Sequence, residues 1–188
     1  RRQRQMCIRD RSLEELIHES ERVIIMGHTN PDMDVMGSAL GIYRLAKEMG
    51  KEVFIANQVA GVGIEHFLSE AKKEEEYQSV FIDKLEALAK INSDTLLVIV
   101  DTNKKDYVEI PELLGETKKI VVIDHHRRST DYIEEAILTF QEVYASSASE
   151  LVTELIEYAS SEPELTNLEA EALYSGTVSY THLRAHET

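Results

Sequence analysis

Two apolar runs constrain this chain more than any other feature: Thr95-Leu96-Leu97-Val98-Ile99-Val100 and Lys119-Ile120-Val121-Val122-Ile123. Unbroken runs of this length, rich in β-branched residues and without polar alternation, read as strands buried on both faces. A third run, Val23-Ile24-Ile25-Met26, has the same character. Strands separated by helical stretches predict an α/β fold, a mostly parallel sheet with helices on both faces. All three runs end on residues able to hold a metal. Val23–Met26 leads into Gly27-His28-Thr29-Asn30-Pro31-Asp32-Met33-Asp34, Thr95–Val100 into Asp101-Thr102-Asn103, and Lys119–Ile123 into Asp124-His125-His126. The carboxyl edge of an open parallel sheet is where such folds place their chemistry.

One strand-end carboxylate needs no function. Asp34 as N-cap of the helix that follows, with Asp32 accepting backbone N–H bonds, would account for the first loop alone. Three such ends are harder to explain as caps, because carboxylates gathered at one edge repel and are driven neutral. Divalent ions remove that penalty. A mixture of imidazole and carboxylate suits Mn, Fe or Zn. The donors exceed what one ion needs, and a two-metal cluster sharing a bridging carboxylate accounts for the excess. Such pairs catalyse in-line phosphoryl displacement.

The intervening segments supply the helices. Residues 12–19 read as a short helix, with Ser12 and Glu15 as a capping box and His18 facing outward. A helix is expected from Asp34 to Met49, with Gly37 and Gly41 permitting close packing, followed by a strand over 51–56. The stretch Val59–Leu68 is ambiguous. A short strand at 80–82, helices at 83–90 and 110–114, and a strand within 133–144 complete the middle of the chain. Ser147 or Ser149 starts a strong helix through Tyr158, and Asn167 caps a last one through Leu173.

Composition sets the outer bounds. With 188 residues, 43% of them hydrophobic, the chain makes one domain with a sizeable core. A net charge of -15 argues against broad binding to a nucleic-acid backbone, so no DNA partner is expected. No apolar run approaches the roughly 20 residues of a spanning helix, and the segment reads as cytoplasmic; an upstream membrane anchor in a longer parent stays open. Residues 1–11, with five arginines in an acidic chain, and residues 178–188 both resemble translated sequencing-library adapters. They are set aside as non-native, and 12–177 is taken as the natural domain, incomplete at its C-terminus. Cys7, the only cysteine, and His182 and His186 go with them.

Asp124-His125-His126, together with His28-x-x-x-Asp32-x-Asp34 and Asp101, resembles the DHH phosphoesterase superfamily through nearly all of 12–177. The wording is most similar to the cyclic-di-AMP phosphodiesterase branch: Gly27-His28-Thr29-Asn30-Pro31-Asp32-Met33-Asp34, Asp101-Thr102-Asn103-Lys104, Tyr107-Val108-Glu109, Asp124-His125-His126-Arg127-Arg128 and Tyr144-Ala145-Ser146-Ser147. The resemblance implies two Mn²⁺ ions. His28, Asp32 and Asp101 would hold one, and Asp34, Asp101 and His125 the other, with Asp101 bridging. A last aspartate would come from a strand that Gly176-Thr177 begins, and a small C-terminal domain of the DHHA1 type would lie beyond the chain. The helix before that strand is then expected to be poorly anchored.

The implied reaction is hydrolysis of cyclic di-AMP to pApA by a hydroxide held between the ions, with Asp101, Asp34 and His126 carrying catalysis. The alternatives are a short-oligoribonucleotide exonuclease or adenosine bisphosphate phosphatase, and a non-catalytic nucleotide-binding module. The partner is a cyclic dinucleotide, and a homodimer is possible for the parent. The fragment itself is expected to be weakly active at most. His126 would bond a phosphate oxygen or only support a ligand. Arg127 and Arg128 would make phosphate contacts or remain solvated. Asn103 would meet the nucleotide or form a turn. Asp124 would orient His28 or His125, and the Ser146-Ser147 pair would start a helix before it would meet phosphate.

Overall fold

A computed structural model describes residues 11–58 and 63–184, and side chains as far as residue 178. Six strands form one sheet in the order β3-β2-β1-β4-β5-β6. They are β1 (Arg22–Met26), β2 (Glu52–Ala56), β3 (Phe81–Ile82), β4 (Thr95–Val100), β5 (Ile120–Asp124) and β6 (Leu138–Gln141). All neighbours are parallel. The chain winds outward from β1 to β3, then returns to lay β4 on the free side of β1. That reversal opens a crevice at the carboxyl ends of β1 and β4. Every residue of β4 is buried, as its unbroken apolar run requires.

Strand residues alternate between two cores. Val23, Ile25, Leu96, Val98, Val121 and Ile123 face helices α1 (residues 11–18), α2 (Met33–Glu48), α3 (Glu65–Ala71), α5 (Ala148–Glu157) and α6 (Asn167–Arg184). Ile24, Met26, Leu97, Ile99 and Val122 face α4 (Lys84–Lys90) and the loop residues Val108, Ile110, Leu113 and Ile133. The second face is thus covered mainly by 3₁₀ turns, at Lys105–Tyr107 and Pro111–Gly115. No helix among the described residues is long and apolar enough to cross a membrane.

The helix starts follow their caps. Asp32 rather than Asp34 caps α2, accepting from the amides of Asp34 and Val35 at 2.9 and 3.1 Å. Ser147 caps α5 through Glu150 N–H at 3.0 Å. Residue 11 is already helical, so Ser12 lies inside α1 rather than at its cap. Of the ambiguous stretch 59–68, α3 accounts for the end, while 59–62 lie outside the described residues.

α6 departs from expectation. Its cap is Thr166, in a reciprocal box with Glu169: Thr166 N–H donates to Oε2 at 2.9 Å and Glu169 N–H to Thr166 Oγ1 at 3.3 Å. It does not stop at Leu173, and Gly176 and Thr177 lie inside the helix instead of opening a strand. It is also firmly anchored. Glu169, fully buried, accepts from Arg44 Nε of α2 at 2.9 Å and from the Tyr77 hydroxyl at 2.9 Å. Two glycines let the backbones touch. A Cβ on Gly37 would lie 2.5 Å from the Ala172 carbonyl oxygen, and one on Gly176 would lie 2.2 Å from Ser149 Oγ and 2.7 Å from the Met33 carbonyl oxygen. Gly176 therefore marks a close helix approach.

Gly176→Ala tests this packing. Overfilling a tight contact that includes backbone should lower unfolding stability by about 1–3 kcal/mol in urea titrations. Gly115→Ala, where an added Cβ meets nothing within 4 Å, should stay within about 0.5 kcal/mol of the parent. Equal stabilities for both variants would show that α6 is not seated as described.

Candidate metal centre

Register brings the three strand ends into line. Met26 pairs with Ile99 and Val100 with Ile123, so counting on places His28, Asp101 and Asp124 side by side at the sheet edge. Beyond β1, the His28 Nδ1–H donates to the Thr29 carbonyl at 2.8 Å, which turns Nε2 toward Asp101 Oδ2 at 3.4 Å. Beyond β4, Asp101 adopts a left-handed backbone with φ of 58°. That conformation costs an L-residue about 1–2 kcal/mol, less for Asp, and such outliers persist where surroundings impose them. Here it coincides with a carboxylate lying between three imidazoles. His125 Nε2 and His126 Nδ1 lie 3.3 and 3.7 Å from Asp101 Oδ1.

Two groups of donor atoms result, His28 with Asp32 and Asp101, and Asp101 with His125 and His126. Asp101 belongs to both. Asp34 stands just beside the second group, its Oδ2 3.8 Å from His125 Nε2. Its carboxylate receives the first amides of α5, from Ala148 at 2.9 Å and Ser149 at 2.7 Å. The structure therefore gathers His28, Asp32, Asp101 and His125, puts Asp34 at the margin, and brings His126 in.

The charges compensate one another. Burial works against protonation of His28, but the Asp101 carboxylate, the Thr29 carbonyl and Asp32 outweigh it and push its pKa up to about 9. Burial likewise pushes the Asp101 carboxyl up but is outweighed by His125 and His28, which hold it below the usual carboxylate range. Asp34 moves the other way: burial and the Asp101 charge raise it, against the partial relief of the α5 amides. The Asp124 carboxylate raises His126. The protonated His28 here does what a cation would do. Asp101 Oδ1 is buried and accepts no hydrogen bond of good geometry. A donor set of imidazoles and carboxylates around that oxygen fits a borderline divalent ion of the Mn, Fe or Zn kind.

The neighbouring residues divide by role. Asp124 orients His126, not His28 or His125 as expected: its Oδ1 meets His126 Nδ1 at 2.8 Å and its Oδ2 accepts from the Asn103 amide. Asn103 also donates to the Arg127 carbonyl at 3.2 Å and accepts from Ser129 N–H at 2.9 Å, so its amide is committed to holding the loop after β5. Arg127 lines a cleft of about 450 Å³ together with His28, Asp32, Asp101, Lys104, Tyr107 and the half-exposed His126. Arg128 turns away, 3.6 Å above the Tyr132 ring. Ser146 and Ser147 bond Glu150, a helix start rather than a ligand contact. Tyr107 and Lys104 on the cleft wall carry no role in the sequence reading. Both sit in an irregular segment whose pattern has no periodicity to flag them.

The sequence profile described as DHH family, N-terminal domain, matches residues 22–177. The chain is 45% identical over 170 residues to the cyclic-di-AMP phosphodiesterase GdpP of Bacillus subtilis, covering 89% of this chain and 26% of that protein. It is 39% identical over 172 residues to the cyclic-di-AMP phosphodiesterase PdeA of Listeria monocytogenes, again covering 89% of this chain and 26% of the relative. The chain thus spans about a quarter of the length of these relatives. Among solved structures, an exopolyphosphatase-related protein of Bacteroides fragilis superposes with a TM-score of 0.73 at 22% identity, over 93% of this chain and 50% of that one, which supports the fold.

A metal entering beside His28 must displace a proton. With a pKa near 9, His28 is protonated at neutral pH, and coordination through Nε2 requires the neutral ring. Calorimetric Mn²⁺ titrations near pH 7.5 in two buffers of different ionisation enthalpy should report release of about one proton per ion at this site. Affinity should rise with pH by up to about tenfold per unit below pH 9. Heats and affinities independent of buffer and pH would contradict the arrangement.

Proposed function

We propose, from the premise that this chain belongs to the DHH family, that it is the metal-binding domain of a two-metal phosphodiesterase acting on cyclic di-AMP. One observation carries the chemistry: His28 and Asp32 on one side and His125 and His126 on the other form two donor groups that share Asp101, with Asp34 beside the second. The substrate class is supported by the identity to cyclic-di-AMP phosphodiesterases of two bacteria.

In this reading His28, Asp32 and Asp101 would hold one Mn²⁺, and Asp101, His125 and Asp34 the second. When bound, the ions supply an activated water and neutralise charge during in-line displacement at phosphorus. The protein residues do the rest. Asp101 fixes the spacing of the two positions. The α5 amides hold Asp34 with its charge near the second. His126, oriented by Asp124, donates to a phosphate oxygen, and Arg127 on the cleft wall grips another through its guanidinium fork. Asp32 divides its work, one oxygen capping α2 and the carboxylate as a whole facing the cleft.

The test is to express the complete reading frame with Mn²⁺ and offer cyclic di-AMP, cyclic di-GMP, pApA, short RNA and pyrophosphate side by side. Preferential conversion of cyclic di-AMP to pApA is the expected result, with the 188-residue chain alone binding metal but turning over slowly. Preferential trimming of short RNA would replace the substrate assignment with an oligoribonuclease, and no hydrolysis of any phosphodiester would overturn the reading.

A further inference from the structure

His28 is gripped by a segment that neither its own loop nor its strand provides. Residues 103–110 cross over the strand ends as a strap. On one side Thr29 N–H donates to the Tyr107 carbonyl and Glu109 N–H to the Gly27 carbonyl, both at 2.9 Å, and His28 bridges Val108 in antiparallel fashion. On the other side Lys105 N–H donates to the Asp131 carbonyl at 3.1 Å and Ile133 N–H to the Asn103 carbonyl at 2.9 Å, with Lys104 bridging Tyr132. Val108 and Ile110, fully buried, anchor the strap in the core on the second face of the sheet, with Ile24 and Ile99. One short segment therefore ties the loop carrying His28 to the loop that follows His125 and His126.

Within that strap, the Tyr107 ring lies against the His28 imidazole, centroids 5.2 Å apart and planes 17° from parallel. The hydrogen bond at Nδ1 fixes one vertex of the imidazole but leaves it free to tilt about its bond to the Cβ. A flat ring stacked on one face removes that freedom. We infer that Tyr107 is a positioning residue: its ring, not its hydroxyl, sets the plane in which His28 Nε2 presents its lone pair beside Asp101. The inference rests on the metal-centre reading above and adds to it a residue outside the donor set. Groups that orient a metal-binding imidazole typically change affinity 10–100-fold when removed.

Tyr107 is 44% exposed, so its truncation leaves no large core cavity. Mn²⁺ titration of the 188-residue chain should show Tyr107→Ala weakening the tighter ion by about tenfold or more, with Tyr107→Phe within about twofold of the parent. A second measurement needs no metal. Long-range ¹H–¹⁵N spectra of the metal-free chain should give one defined set of His28 ring signals in the parent and in Tyr107→Phe, and broadened or averaged ones in Tyr107→Ala. Parent-like affinity and spectra in Tyr107→Ala would overturn the positioning role while leaving the metal centre standing. Loss in Tyr107→Phe equal to that in Tyr107→Ala would also overturn it, since the hydroxyl would then be the active part. Absence of Mn²⁺ binding by the parent would remove the metal-centre reading and this inference together.

Discussion

The structure turns on one buried carboxylate. Asp101 leaves the end of the central strand β4 in a left-handed conformation, between the imidazoles of His28 and His125. A carboxylate in such a place is stable only with positive charge around it. His28 supplies it: against its burial, the Asp101 carboxylate pushes its pKa up to about 9. The same geometry explains the opposite behaviour of Asp34. Close to the Asp101 charge and buried, it keeps its place by accepting the first amides of α5, and its carboxyl is driven up. The edge of the sheet is thus a set of carboxylates and imidazoles whose charges depend on one another, grouped as a metal ion could be held.

The scaffold is organised to hold that arrangement. Parallel pairing of β1, β4 and β5 sets the register of the three ends, and the reversal of winding between β1 and β4 opens the crevice above them. α2, α5 and α6 interlock through Gly37, Gly176 and Ser149, so that the Asp34 backbone is held by three helices at once. The buried Arg44–Glu169 pair, joined by Glu76 and Tyr77, pins α6 at the far end of α2. Removing one partner of such a pair would cost far more than the pair contributes, which makes it a lock on orientation rather than a source of net stability.

Much of this is legible in the sequence where a single local rule dominates. β4 begins and ends at Thr95 and Val100 as its apolar run dictates, and the donor-bearing loops follow directly. The misreadings occur where two rules compete. Asp32 and Asp34 both suit an N-cap, and only the turn geometry, with Asn30 at φ 59°, gives the cap to Asp32. Asn167 suits a cap by residue type, but Thr166 with Glu169 forms the capping box. The resemblance puts Gly176 at the opening of a strand, yet it is required by the close approach to Ser149 and Met33, and the helix continues through it. The partner of Asp124 and the stacking of Tyr107 on His28 depend on how loops fold back across strand ends, which no periodicity in the chain encodes.

The claim on which the rest depends is that Asp101 is shared between two metal positions. Anomalous diffraction at the manganese edge, from crystals of the chain grown with Mn²⁺, tests it most directly. The account predicts two peaks on either side of the Asp101 carboxylate, separated by about 3.5–4 Å as in two-metal phosphoryl-transfer sites. A single peak, or two peaks of which one lies out of reach of Asp101, would contradict it.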